Sequence, residues 1–159
     1  MKRQNLVEGV LFVLLVLVGV QVRIWMQDLP NFAPVAALAL FAGYFFRSWL
    51  LALCLPLSVM AISDLSIGGY DWRMMALVYS MLAIPVAFRT VLRRHLNLDQ
   101  GSLRSASLAV TGLIGCSLAS SVLFFLTTNF GSWLWFNMYE HSVSGLLQCY
   151  TMAIPFFRY

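Results

Sequence analysis

The chain has 159 residues, 61% of them hydrophobic and 10% charged, with a formal net charge of +4. Soluble domains carry about 25% charged residues, and a mean hydropathy of +0.83 cannot be hidden in a core this small, because such a globule leaves about a third of its unfolded-chain surface exposed. Composition therefore excludes an ordinary soluble domain and makes lipid the solvent for most of the surface. The basic residues sit at the ends of apolar runs and form no basic face, which excludes a nucleic-acid-binding module.

Met1-Lys2-Arg3 leads into an apolar run over residues 6–25. It has the basic start and oily middle of a signal peptide. Glu8 near its start, and the absence of a small-x-small site after it, favour a retained first helix, long enough to cross ~30 Å of hydrocarbon. A polar turn with Pro30, Asn31 and Pro34 follows. Pro34 suits the first turn of a helix, where its missing N–H costs nothing. The spacing predicts a second helix over 34–46, with Ala36, Ala39 and Gly43 on one face as a close-packing stripe. A third helix is expected over 49–62, with Pro56 inside it. Both are short, and read either as tilted partners buried by neighbours or as a re-entrant pair. One helix through both would bury Arg47 at its centre.

Ser63 to Asp71 reads as a second polar turn, bent at Gly68-Gly69, with Asp71 capping a fourth helix over 72–90. A basic loop with Arg89, Arg93, Arg94, His95 and Arg104 leads to a fifth helix over 105–127. Its small stripe is Ser105, Ala109, Gly112, Cys116 and Ala119. Then comes Thr128 to Tyr150, where aromatic rings, amides, an acid and a histidine crowd together. A sixth helix is expected over 142–157. Sixteen residues reach only ~24 Å, so the chain is expected to be C-terminally incomplete. Cys54, Cys116 and Cys149 all lie in apolar runs and read as packing residues, not as a disulfide framework or a metal site.

With six spans and both termini inside, Lys2, Arg3, Arg47, Arg89, Arg93, Arg94, Arg104 and Arg158 fall inside. Arg23 and Arg73 fall outside, so eight of the ten basic residues obey the positive-inside rule. The polar turns then share the outer face. It gathers Asn31, Asp64, Asn129, Trp133, Trp135, Tyr139, Glu140, His141, Gln148 and Tyr150. Aromatic walls with a few convergent polar groups make a small-molecule pocket. Trp133 and Trp135 also have an ordinary explanation as an interfacial belt. Gln148 and Tyr150, two turns into a helix, must bond to another helix or to a ligand. Glu140 and His141 supply too few groups for a metal site. There is no P-loop, no Gly-x-Gly-x-x-Gly and no paired catalytic carboxylate, and Ser144 beside His141 lacks a separate base. No enzyme activity and no cofactor are expected.

Four stretches carry a resemblance: Leu29 to Gly43 (LPNFAPVAALALFAG), Ser63-Asp64, Phe125 to Gly131 (FLTTNFG) with Trp133, and Tyr139 to Phe157 (YEHSVSGLLQCYTMAIPFF). They resemble a family of small, uncharacterised bacterial membrane proteins described as candidate transport proteins. That family is in turn similar to the substrate-binding (S) subunits of energy-coupling-factor vitamin transporters. The resemblance implies a six-helix bundle that takes a vitamin-like solute from outside and docks, through small residues on its early helices, onto a membrane coupling subunit with two ATPases. It marks Asn31, Asp64, Asn129, Trp133, Tyr139, His141, Gly145 and Tyr150 as motif positions. The S subunits carry an Ala-x-x-x-Ala docking stripe on the first helix; here the small stripe is on the second.

The expectation is thus a single all-α, polytopic domain over 1–159 in the bacterial inner membrane, whose partners are the bilayer, a small solute and a coupling subunit. A non-transporting scaffold or assembly subunit whose outer loops bind a partner is the alternative. A lipid-modifying enzyme using Asp64, Glu140 or His141 is a third reading.

Overall fold

A computed structural model describes residues 2–26, 34–95 and 103–154. Asn31 and the part of the expected sixth helix beyond Ile154 lie outside the described residues. Every element among the described residues is helical: α1 (Lys2–Trp25), α2 (Pro34–Phe45), α3 (Trp49–Ile67), α4 (Trp72–Met81), α5 (Ala83–Ala87), α6 (Arg89–His95), α7 (Leu103–Trp135) and α8 (Val143–Ala153).

Among the described residues, four segments are long and apolar enough to cross a membrane: Asn5–Trp25, Trp49–Ile67, Trp72–Val91 and Val110–Trp135. The chain is an all-helical protein with membrane-spanning capacity in these four, fewer than the six expected. α2 has 12 residues and α8 has 11, both short of the ~20 that a bilayer needs. Large apolar side chains cover the outside. Leu6, Leu17, Leu65, Leu118 and Leu147 are all exposed, as lipid-facing residues are where lipid replaces water as the solvent.

The core lies between α1, α2 and α3. Ala39, Ala42, Phe46, Ala52, Leu55 and Val59 are fully buried there. α1 and α2 run antiparallel: the Phe12 and Phe46 rings sit 6.0 Å apart near one end, and Gly19 faces Leu38 near the other. Small residues set the spacing, as the stripe predicts. Ala39 and Gly43 are buried and Ala36 half-buried. A Cβ on Gly43 would meet the backbone oxygen of Val86 at 3.2 Å, so this glycine lets α2 and α5 touch backbone to backbone. On α7, Cys116 is buried against Leu40 and Gly112 is half-buried. Ser120 continues that buried line where Ala119 was expected, and Ala119 is exposed. Cys54 is exposed, so only Cys116 and Cys149 pack as expected.

Three expected boundaries move, each for a local reason. α3 runs five residues past 62, because Ser63 Oγ bonds back to the carbonyls of Val59 (2.6 Å) and Met60 (3.1 Å) and so needs no turn to satisfy it. It stops at Gly68, whose φ of 99° only glycine adopts readily and whose N–H closes on the Asp64 carbonyl. The fourth helix is broken at Leu82 and Phe88. Pro85 lacks an N–H and its ring collides with the carbonyl four residues back, at Met81, which explains the first break. α7 runs eight residues past 127. Its polar run is satisfied within the helix: Thr128 Oγ1 donates to the Phe124 carbonyl, Asn129 Nδ2 to that of Phe125 and Ser132 Oγ to that of Thr128.

Candidate functional site

The last turns of α1, α3 and α4 bring four polar side chains together. Arg23 Nη1 donates to Asp64 Oδ1 at 2.5 Å and also to Ser63 Oγ. Tyr79 donates its hydroxyl to Asp64 Oδ2 at 2.6 Å. Both carboxylate oxygens are therefore taken. The Asp64 side chain is 5% exposed and that of Arg23 is 21% exposed. Removing a charge pair from water costs several kcal/mol per ion, and attraction repays that only when the geometry is good and the other polar atoms are satisfied. Here they are: among the described residues no buried side-chain polar atom lacks a partner. Helix periodicity makes the cluster possible. Once α3 continues through Ser63, the Asp64 side chain is held against α1 and α4 and not in an open turn.

Tyr70, in the turn between α3 and α4, lies in the field of this pair. Its phenol is pushed above its ordinary pKa by burial first and by Asp64 second, with Arg23 opposing. Asp71 caps α4, accepting from the backbone N–H of Arg73 (2.9 Å) and Met74 (3.2 Å), as expected from sequence.

The crowded segment Thr128 to Tyr150 lies at the same end of the bundle, because α4 links the two. A Cβ on Gly131 would meet Leu77 Cδ2 of α4 at 2.6 Å. α7 and α8 form an antiparallel hairpin. Tyr150 donates its hydroxyl to the Leu126 carbonyl at 2.8 Å, and Cys149 Sγ lies 3.5 Å from the Asn129 carbonyl. In the hairpin turn, Trp133 Nε1 donates to the Glu140 carbonyl at 2.9 Å, and its ring meets His141 edge-on at 5.4 Å. Ser142 caps α8 by accepting from the Gly145 N–H at 3.1 Å. A Cβ on Gly145 would meet the Glu140 carbonyl oxygen at 2.1 Å, so the turn can fold onto α8 only over a glycine.

The opposite end holds arginines. Arg93 Nε donates to the Tyr44 carbonyl at 3.1 Å and Nη2 to that of Phe46 at 2.5 Å, while Arg89 Nη2 donates to the Arg47 carbonyl at 2.9 Å. These guanidiniums satisfy the orphan carbonyls at the end of α2, where the helix dipole also favours a cation. Burial, and then Arg89, lower the Arg93 pKa.

The expected site residues thus fall into separate groups. Asp64 belongs to the Arg23 cluster. Trp133, Tyr139 and His141 belong to the hairpin turn. Asn129 and Tyr150 are bonded to α7 carbonyls, and Gln148 is exposed. The concavity at the turn is an open depression of about 470 Å³ lined by Asn137, Met138, Tyr139, Glu140 and His141; Asp64, Asn129, Gln148 and Tyr150 are not part of it. Among the described residues no ion pair joins His141 to an acid, and no group of three metal-ligating side chains exists. Arg23 and Tyr79 were missed. Arg23 had a signal: a lone basic residue near the end of an apolar span needs a partner.

No curated protein and no solved structure matches the chain. A family model described as "Family of unknown function (DUF6580)" matches residues 3–159, and the chain belongs to that family.

Proposed function

We propose that this chain is a polytopic membrane protein that binds a small polar, vitamin-like solute at the end of the bundle where Arg23, Asp64 and Tyr79 meet, and serves its uptake. The reading is supported above all by one observation: an arginine–aspartate pair, the acid buried and the arginine half-buried, at the end of three apolar helices. Ionisable groups among membrane spans are costly, and they concentrate where a solute or ion passes. The reading includes six passes with both termini and the Arg47, Arg89 and Arg93 end inside, as the positive-inside rule favours. A membrane coupling subunit with ATPases is the partner it implies, since the sequence carries no nucleotide-binding loop of its own.

A scaffold or assembly role is the second reading. It is favoured by the open form of the depression at Asn137 to His141 and by the backbone bonds that occupy Trp133, Asn129 and Tyr150. A thermal-shift screen of the purified protein in detergent, against vitamins, nucleobases and amino acids, separates the two. The solute reading expects one class to raise the melting temperature, and expects Asp64→Asn to lose the shift. Absence of any shift across the panel favours the scaffold.

A further inference from the structure

The hydrogen-bond valences left open around Arg23 specify the chemistry of a ligand. Arg23 uses only Nη1, end-on, for Ser63 and Asp64. Its Nε and Nη2 have no acceptor among the described residues. A planar guanidinium offers its donors in a fixed fork that fits a carboxylate or phosphate with two parallel bonds. One edge of the fork is anchored, and the other is open on a side chain that is 21% exposed. The Asp64 carboxylate already has a donor on each oxygen, Arg23 on one and Tyr79 on the other, and as an acceptor-only group it has no N–H or O–H to give an anion. Ser63 Oγ is likewise committed, accepting from Arg23 and donating to Val59.

Tyr70 lies in the loop between α3 and α4, within electrostatic reach of the Arg23–Asp64 pair. Its phenol feels both Asp64 and Arg23, is 43% exposed, and makes no hydrogen bond among the described residues. The unused groups at this end of the cluster are thus the Arg23 N–H donors and a phenolic O–H, and a ligand must bring the acceptor. Arg23 lies in the last turn of α1; Trp25, two residues after it, and Trp72, two residues after Tyr70, are both exposed, as aromatic side chains are at a membrane–water boundary.

We propose that the free Nε/Nη2 edge of Arg23, together with the Tyr70 hydroxyl, takes the carboxylate or equivalent oxyanion of the solute. Asp64, Ser63 and Tyr79 hold the inner half of the guanidinium in place, so they are positioning residues and not ligands. This assignment rests on the solute-binding reading and narrows it to an organic anion. The anchored half also explains why a lysine would not serve: an ammonium cannot hold Asp64 with one face of a rigid fork and present two parallel donors with another.

The test uses matched probes on the full chain in detergent: benzoate against benzamide, and nicotinate against nicotinamide, with thymine and pyridoxine as further neutral solutes. Wild type is expected to be stabilised by the carboxylates and not by the amides. Arg23→Gln is expected to abolish the carboxylate shift, and Arg23→Lys to weaken apparent affinity by about tenfold, because the bidentate contact is lost. Tyr70→Phe is expected to weaken it less, and gel filtration checks that the variants remain monodisperse. Equal shifts from each acid and its amide, or a carboxylate shift retained in Arg23→Gln, overturn the anion assignment. Stabilisation by neutral solutes alone overturns it while leaving solute binding intact. No stabilisation by any probe counts against both. If both Arg23 variants fail to fold, the acid–amide comparison on wild type still decides.

Discussion

Tyr79 on α4 donates to the one Asp64 oxygen that Arg23 leaves free, at 2.6 Å. The aspartate therefore ties α1 to the consecutive helices α3 and α4. A hydrogen bond to a charged group contributes about 1.5–3 kcal/mol. Tyr79→Phe keeps the ring and removes only this bond, so it is expected to destabilise the protein by about that amount. Thermal unfolding in detergent reads it, and a melting temperature equal to wild type would show that the bond is not formed.

Arg93 caps α2 through two carbonyls, while Arg89 makes a single bond to the following turn. Arg93→Ala leaves the Tyr44 and Phe46 carbonyls without their donor and is expected to cost about 1–3 kcal/mol. Arg89→Ala should cost less. The ordering of the two melting temperatures checks this, and the reverse ordering contradicts the cap.

The α7–α8 turn closes over Gly145, where a methyl group would sit 2.1 Å from the Glu140 carbonyl oxygen. Because the obstacle is backbone, Gly145→Ala must move the whole turn, at about 1–3 kcal/mol. Ser142→Ala removes only the cap, at about 1 kcal/mol. Limited proteolysis between α7 and α8 is expected to speed up more in Gly145→Ala than in Ser142→Ala.

Orientation has its own check. Met138 is exposed at the hairpin-turn end, and Ser48 lies at the arginine end, where it makes no side-chain cap. With the arginines inside, a membrane-impermeant maleimide labels Met138→Cys in intact cells and Ser48→Cys only after lysis. Wild type, whose three cysteines all lie in helices, is the control. The opposite labelling pattern would invert the proposed topology.

The helical class, the apolar outer surface and the small-residue packing face at Ala39 and Gly43 were legible because they depend on composition and on helical spacing alone. So was the cap at Asp71, which is local. Polar residues misled wherever their side chains could bond back to their own helix. Ser63 carried α3 through a stretch that reads as a turn, and Thr128, Asn129 and Ser132 carried α7 through the crowded segment. The same effect changed the status of Asn129, which bonds to its own helix and not into a shared pocket. The partnership of Arg23 with Asp64 was not legible, since it spans 41 positions and exists only after α1 and α3 pack side by side.

That partnership is tested most directly by a double-mutant cycle over Arg23→Met and Asp64→Leu, read by thermal unfolding in detergent. Arg23→Met strands the buried Asp64 carboxylate and is expected to cost about 3–5 kcal/mol, Asp64→Leu leaves the half-buried Arg23 without its carboxylate and should cost less, and the double variant, with both charges gone, should cost less than the two singles together. Costs that add to within about 0.5 kcal/mol would mean that the two side chains do not interact, and the site built on them would fall.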